Sequence, residues 1–148
     1  MAEIVLFHHA QGLTDGMMAI ADEFRATGHI VHTPDLYGGF SLGALPAQRL
    51  AQTRPRARAA LLYHGGVPTS TFGTSWPVGV PLQIHLMEDD EWSELDVAEG
   101  LRDEIADAEL FVYPGSSHLF ADSSLPDHDP DAARLLIQRS LELLSRLD

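Results

Sequence analysis

The chain contains no cysteine. That single absence removes disulfides, thiolate metal sites and a cysteine nucleophile. Basic residues are scarce: nine Lys and Arg stand against 22 Asp and Glu, for a formal net charge of −13. A nucleic-acid partner calls for a basic footprint, which this composition does not supply. The same acidity exerts no pull on anionic substrates or on a membrane surface. No stretch reaches the apolar length of a membrane span, and residues 1–6 lack the basic start and long apolar run of a secretory leader, so the cytoplasm is the expected address. Internal repeats, low-complexity tracts and linkers are also missing. What is present is a globular mixture, 45% hydrophobic and 21% charged over 148 residues. A chain of this length can bury a real core, and one domain over residues 1–148 is expected.

The apolar centre Ile4-Val5-Leu6-Phe7 predicts a short buried strand within residues 3–9. Thr14 offers an N-cap and Gly28 a stop, with Met17, Ile20, Ala21 and Phe24 at helical spacing between them. Residues 29–33 read as a second strand ended by Pro34-Asp35. Residues 42–53 read as a helix, in which Pro46 comes early enough that its missing N–H costs little. Residues 57–64 and 81–87 read as strands, with Pro81 tolerated at the start of the latter. Ser93 and Asp96 suggest a capping box for a helix to about Ile105, and residues 109–113 a fifth strand. Asp129-Pro130 makes a good N-cap and first helical position. The final helix carries Leu136, Ser140, Leu143 and Leu147 on one stripe, with Ile137, Leu141 and Leu144 beside it. This alternation predicts an α/β fold: a mostly parallel sheet of about five strands with helices on both faces. In such sheets ligands bind beyond the carboxyl ends of the strands, so the chemistry is expected in the turns that follow them.

One turn carries a motif. Gly39-Phe40-Ser41-Leu42-Gly43 fits Gly-x-Ser-x-Gly, the pattern of a nucleophile elbow. There a serine sits on a tight strand-to-helix turn, and glycines allow the chain to pack closely around it. Taken alone, the pattern fits a glycine-rich turn with an incidental serine equally well. Order adds specificity. The acidic run Glu88-Asp89-Asp90 follows the fourth strand, and His118 follows the fifth. Serine, acid, histidine is the chain order of α/β-hydrolases. The serine needs a base for its proton, and the base needs a carboxylate to fix its tautomer and stabilise the imidazolium.

Four segments in order carry a resemblance to a known family. They are His8-His9-Ala10-Gln11-Gly12-Leu13, Thr33-Pro34-Asp35-Leu36-Tyr37, the elbow with its helix from Phe40 to Leu50, and His118-Leu119-Phe120-Ala121-Asp122-Ser123-Ser124. Together they resemble the dienelactone hydrolase family, whose fold is that of α/β-hydrolases and whose members act on esters or lactones without a cofactor. The resemblance implies Ser41 as nucleophile, His118 as base and Asp90 as the acid, with Asp89 as the alternative. It also implies an oxyanion hole from the backbone N–H groups of Leu42 and Gln11. The reading is thus a shortened α/β-hydrolase-like domain cleaving small carboxylic esters or lactones through an acyl-enzyme on Ser41.

Three departures from the family bear on that reading. Many dienelactone hydrolases use cysteine where this chain has Ser41, which shifts the expectation toward general esters. The family has a substrate-binding arginine four residues past the histidine; here Asp122 stands there and would disfavour an anionic substrate. The family also has a helix and a strand between Pro-Asp-Leu-Tyr and the elbow, whereas Tyr37-Gly38-Gly39 here runs straight into Phe40-Ser41. A parallel crossover needs about a dozen residues, so none fits between Asp35 and Ser41. If the second strand keeps its outer place, Ser41 is carried away from His118. If it moves to the centre, the helix near residues 14–27 must change face to stay right-handed. The third solution borrows a strand from a second copy, making a homo-oligomer. A catalytically dead remnant that binds a small ligand is the alternative function. A flavodoxin-like binding module ranks below it, because His9-Ala10-Gln11-Gly12 has one glycine and makes a poor phosphate loop. No ligand spacing such as His-Glu-x-x-His occurs, so neither metal nor cofactor is expected. His8, His9 and His85 read as hydrogen-bonded structural residues near the site. Met17, Met18, Trp76 and Trp92 are candidates for pocket lining or core.

Overall fold

The computed structural model describes residues 1–2, 4–7, 14–31, 36–54 and 57–147. Five strands, β1 (Val5–Phe7), β2 (Leu36–Phe40), β3 (Ala59–Tyr63), β4 (Leu82–Met87) and β5 (Ala108–Tyr113), pair in parallel and lie side by side in chain order. Four helices join or follow them: α1 (Asp15–Ala26), α2 (Ala44–Thr53), α3 (Leu95–Glu104) and α4 (Pro130–Ser145). The α/β reading with helices on both faces therefore holds.

Side-chain alternation along the strands sorts the core into two layers. Leu36 and Phe40 of β2, with Leu61 and Tyr63 of β3, meet Met17, Ile20 and Phe24 of α1 and Leu136, Leu143 and Leu144 of α4. Tyr37, Ala60, Leu62, Leu82 and Ile84 point the other way, onto the alanines of α2 and Leu101 of α3. Strands covered on both faces read as continuous apolar runs, as β3 does, whereas β4 carries the buried polar residues Gln83 and His85 within its run. The helix signals also act as expected. The Thr14 hydroxyl accepts from the Met17 N–H, Gly28 takes φ +88° after α1, and the Asp129 carboxylate accepts from the N–H groups of Asp131 and Ala132.

The second strand departs from the sequence reading. Ile30 makes one bridge only: its N–H donates to the Ala2 carbonyl and its own carbonyl accepts from Ile4. Residues 32–35 lie outside the described residues. The strand that feeds the elbow is instead Leu36–Phe40, pairing β1 on one side and β3 on the other. Glycine is depleted in strands, but at Gly39 the lack of a side chain is what permits a close backbone approach. A Cβ on Gly39 would collide with the Gly43 carbonyl, whereas one on Gly38 would make only ordinary contact with the Leu6 and Leu61 side chains. The central place is thus filled from within the chain, while residues 29–31 stay beside the start of β1 and α1 shares a face with α4. Ser41 is not carried away from His118.

A second correction concerns α3. Its N-cap is Glu94, with no side-chain cap bond, and the Ser93 hydroxyl donates instead to Asp90. The expected capping box is not made because Ser93 serves the site.

Candidate active site

All the loops that matter leave the carboxyl edge of the sheet. β2 ends at Phe40, and Ser41 opens a single 3-10 turn, Ser41–Gly43, that runs into α2. Ser41 holds φ +53°, a left-handed conformation that non-glycine residues seldom adopt and that marks a tight strand-to-helix turn. β4 ends at Met87 and leads to Asp90; β5 ends at Tyr113 and leads to His118. Backbone bonds tie these last two loops together: the Glu88 N–H donates to the Tyr113 carbonyl and the Asp89 N–H to the Gly115 carbonyl.

The result is a continuous hydrogen-bond chain. Ser41 Oγ lies 2.8 Å from His118 Nε2, and His118 Nδ1 lies 2.7 Å from Asp90 Oδ2. Asp90 is 4% exposed and also accepts from the Trp92 N–H at 3.0 Å and the Ser93 hydroxyl at 2.6 Å. A carboxylate so surrounded by donors accepts only, so the His118 proton belongs on Nδ1. That leaves Nε2 to accept from the Ser41 hydroxyl. Asp89, the alternative acid, is exposed to solvent. Leu42 follows Ser41 in the one-turn helix, where first-turn N–H groups have no intrahelical partner. Gln11, the other oxyanion candidate, lies outside the described residues, as do His8 and His9.

A pocket of about 600 Å³ opens beside Ser41 and His118. Leu42, Leu45, Trp92 and Leu119 give it apolar walls, and Glu94 and Asp127 add two carboxylates. A larger groove of about 740 Å³, lined by Ala57, Arg58 and Asp107 among others, contains none of the three chain-forming residues. Two pocket features were not read from sequence. His64, at the end of β3, also takes a positive φ of 60° and sets its ring 5.8 Å from that of His118 and edge-on to Phe120 at 4.6 Å. Its signal was available: a histidine closing a strand just before Gly65-Gly66, at the same sheet edge as Ser41. Glu94 follows Ser93 directly and is the N-cap of α3, so by sequence it reads as part of a helix start.

Other candidates fall away from the site. His85 is fully buried and bonded through Nδ1 to the Tyr113 hydroxyl and through Nε2 to the Gln83 side chain, both at 2.8 Å. Burial, with Arg139 nearby, lowers its pKa to about 3, so it sits neutral as a structural residue. Met17 is core, Met18 is exposed, and Trp76 is buried with its indole N–H on the Val80 carbonyl. Asp122 does not line the pocket beside Ser41. It is 2% exposed, accepts from the Ser124 N–H and hydroxyl, and accepts from the Thr14 hydroxyl at the start of α1. Among the described residues, no group of His, Asp and Glu is arranged to hold a metal ion, and no helix is long and apolar enough to cross a membrane.

Residues 38–147 match the dienelactone hydrolase family, a match that begins within β2. No curated protein matches the chain in sequence. Solved structures show the same fold at low identity. A dienelactone hydrolase-like promiscuous phosphotriesterase from metagenomic libraries superposes with TM-score 0.80 and 16% identity, covering 99% of this chain and 87% of that one. Mouse alpha/beta hydrolase domain-containing protein 10 gives TM-score 0.76 and 13% identity over 99% and 90%. Esterase PE8 gives 0.71 and 13% over 99% and 93%.

Proposed function

The chain belongs to the dienelactone hydrolase family, and from that premise we propose that it is a serine hydrolase of small carboxylic esters or lactones, with Ser41, His118 and Asp90 as its catalytic residues. The observation that carries the reading is the unbroken Ser41–His118–Asp90 hydrogen-bond chain at the wall of a partly apolar pocket.

The chemistry follows from the atoms. Ser41 Oγ attacks the ester carbonyl carbon while His118 Nε2 takes its proton. Asp90, desolvated and held by Trp92 N–H and Ser93, stabilises the imidazolium without taking a proton itself. The tetrahedral oxyanion falls toward the Leu42 N–H. As the intermediate collapses, the ester C–O bond breaks and His118 returns the proton to the leaving alkoxide. Water, deprotonated by His118, then attacks the acyl-Ser41 carbonyl, and the acid leaves with Ser41 restored. No cofactor enters. The strained φ of Ser41 suits this role, since it thrusts the hydroxyl out of the turn toward the pocket.

Steady-state hydrolysis of a short activated ester by acid variants tests the assignment. Asp90→Asn should lower the rate at neutral pH by roughly 10³–10⁴, by favouring the wrong tautomer. Asp89→Asn, altering an exposed side chain, should stay close to wild type. The reverse ranking would move the acid by one residue, and no loss in either would reject the mechanism.

A further inference from the structure

The pocket beside Ser41 has a one-sided charge. Two carboxylates, Glu94 and Asp127, line it, and among the described residues no Lys or Arg does. Neither carboxylate is held by a hydrogen bond or ion pair with another described residue, so their charge is not spent inside the protein. A second feature is independent of these acids. The Trp92 side chain is 81% exposed, and its ring lies 6.4 Å from that of His118. An indole left open to solvent at the wall of a pocket offers a π-face, and cations bind to such faces.

Each feature alone is ordinary. Together they describe a wall that attracts positive charge and repels negative charge next to a nucleophile. Resting on the hydrolase reading above, we propose that this pocket selects esters bearing an alkylammonium group, the cation facing Trp92, Glu94 and Asp127 while the ester carbonyl lies at Ser41. Asp122 takes no part in this preference, because it is buried and held against Ser124 and Thr14. The preference belongs to binding more than to the chemical step. During reaction His118 becomes an imidazolium, and a second cation nearby opposes that charge. The gain therefore appears chiefly in KM, with kcat little changed.

The test compares three butyrate esters of matched shape: the trimethylammonioethyl ester, its uncharged 3,3-dimethylbutyl isostere, and a carboxylate-bearing analogue. At low salt kcat/KM should favour the cationic ester over the isostere by about tenfold, and the isostere over the anionic analogue by a similar factor. Raising the salt to about 1 M should shrink both ratios, because screening acts on exposed charges. Within the doubly substituted Glu94→Gln, Asp127→Asn protein and within Trp92→Ala, the cation-to-isostere ratio should fall toward one. A wild-type ratio at or below one would overturn the proposal while leaving the hydrolase reading intact. Persistence of the full ratio in the variants would overturn the assignment to these residues. Failure of wild type to hydrolyse any of the three, with no serine-dependent turnover, would overturn the hydrolase reading itself.

Discussion

Gly39 and Gly43 pack backbone against backbone: a Cβ added to Gly39 would strike the Gly43 carbonyl and crowd the Ala44 nitrogen. This contact, between the end of β2 and the 3-10 turn that leads into α2, is what fixes the elbow under Ser41. Main-chain atoms cannot yield as a flexible side chain does, so Gly39→Ala should cost about 3 kcal/mol or more in chemical denaturation and abolish hydrolysis. Gly28→Ala supplies the contrast. Its φ is +88° with open space around it, so only backbone strain of about 1 kcal/mol is expected, with activity retained. Equal behaviour of the two variants would contradict the account.

The same contact explains what composition could not reveal. Glycine is depleted in strands, so Gly38-Gly39 gives no local signal for one. The strand character of Leu36–Phe40 comes from pairing with both β1 and β3 and from the helix seated on it, which are non-local facts. Where local chemistry decides, the sequence was legible: Thr14 and Asp129 cap helices, and serine, acid and histidine each follow a strand. Within one copy, β2 lies between β1 and β3.

Asp122 illustrates the limit of transferring a position by resemblance. Its carboxylate joins the Thr14 hydroxyl at the head of α1 to the Ser124 turn and is buried. Asp122→Ala would strand buried donors, at a cost of about 1–3 kcal/mol. A thermal melt should fall accordingly, while the relative kcat/KM of neutral and anionic esters stays as in wild type. A changed charge preference with an unchanged melt would return Asp122 to the substrate site.

His85 sets a pH dependence of stability. Its folded pKa is lowered to about 3, against an ordinary value of 6.5, because burial disfavours the charged ring. The unfolded chain therefore binds the extra proton first as pH drops. The stability contribution is fully present above about pH 6.5 and is lost progressively toward pH 3, by up to about 1.4 kcal/mol per pH unit. Denaturation midpoints of wild type and His85→Gln, followed from pH 7.5 to 4, should converge or cross as acid erodes the wild type faster. Parallel pH profiles would contradict a buried neutral His85.

The central claim is that Ser41 is made nucleophilic by His118. Incubation with a fluorophosphonate, followed by intact mass and peptide mapping, tests it most directly. The account predicts one adduct, on Ser41, absent in Ser41→Ala and formed far more slowly in His118→Ala. An unlabelled wild type, or an adduct that persists in Ser41→Ala, would contradict it.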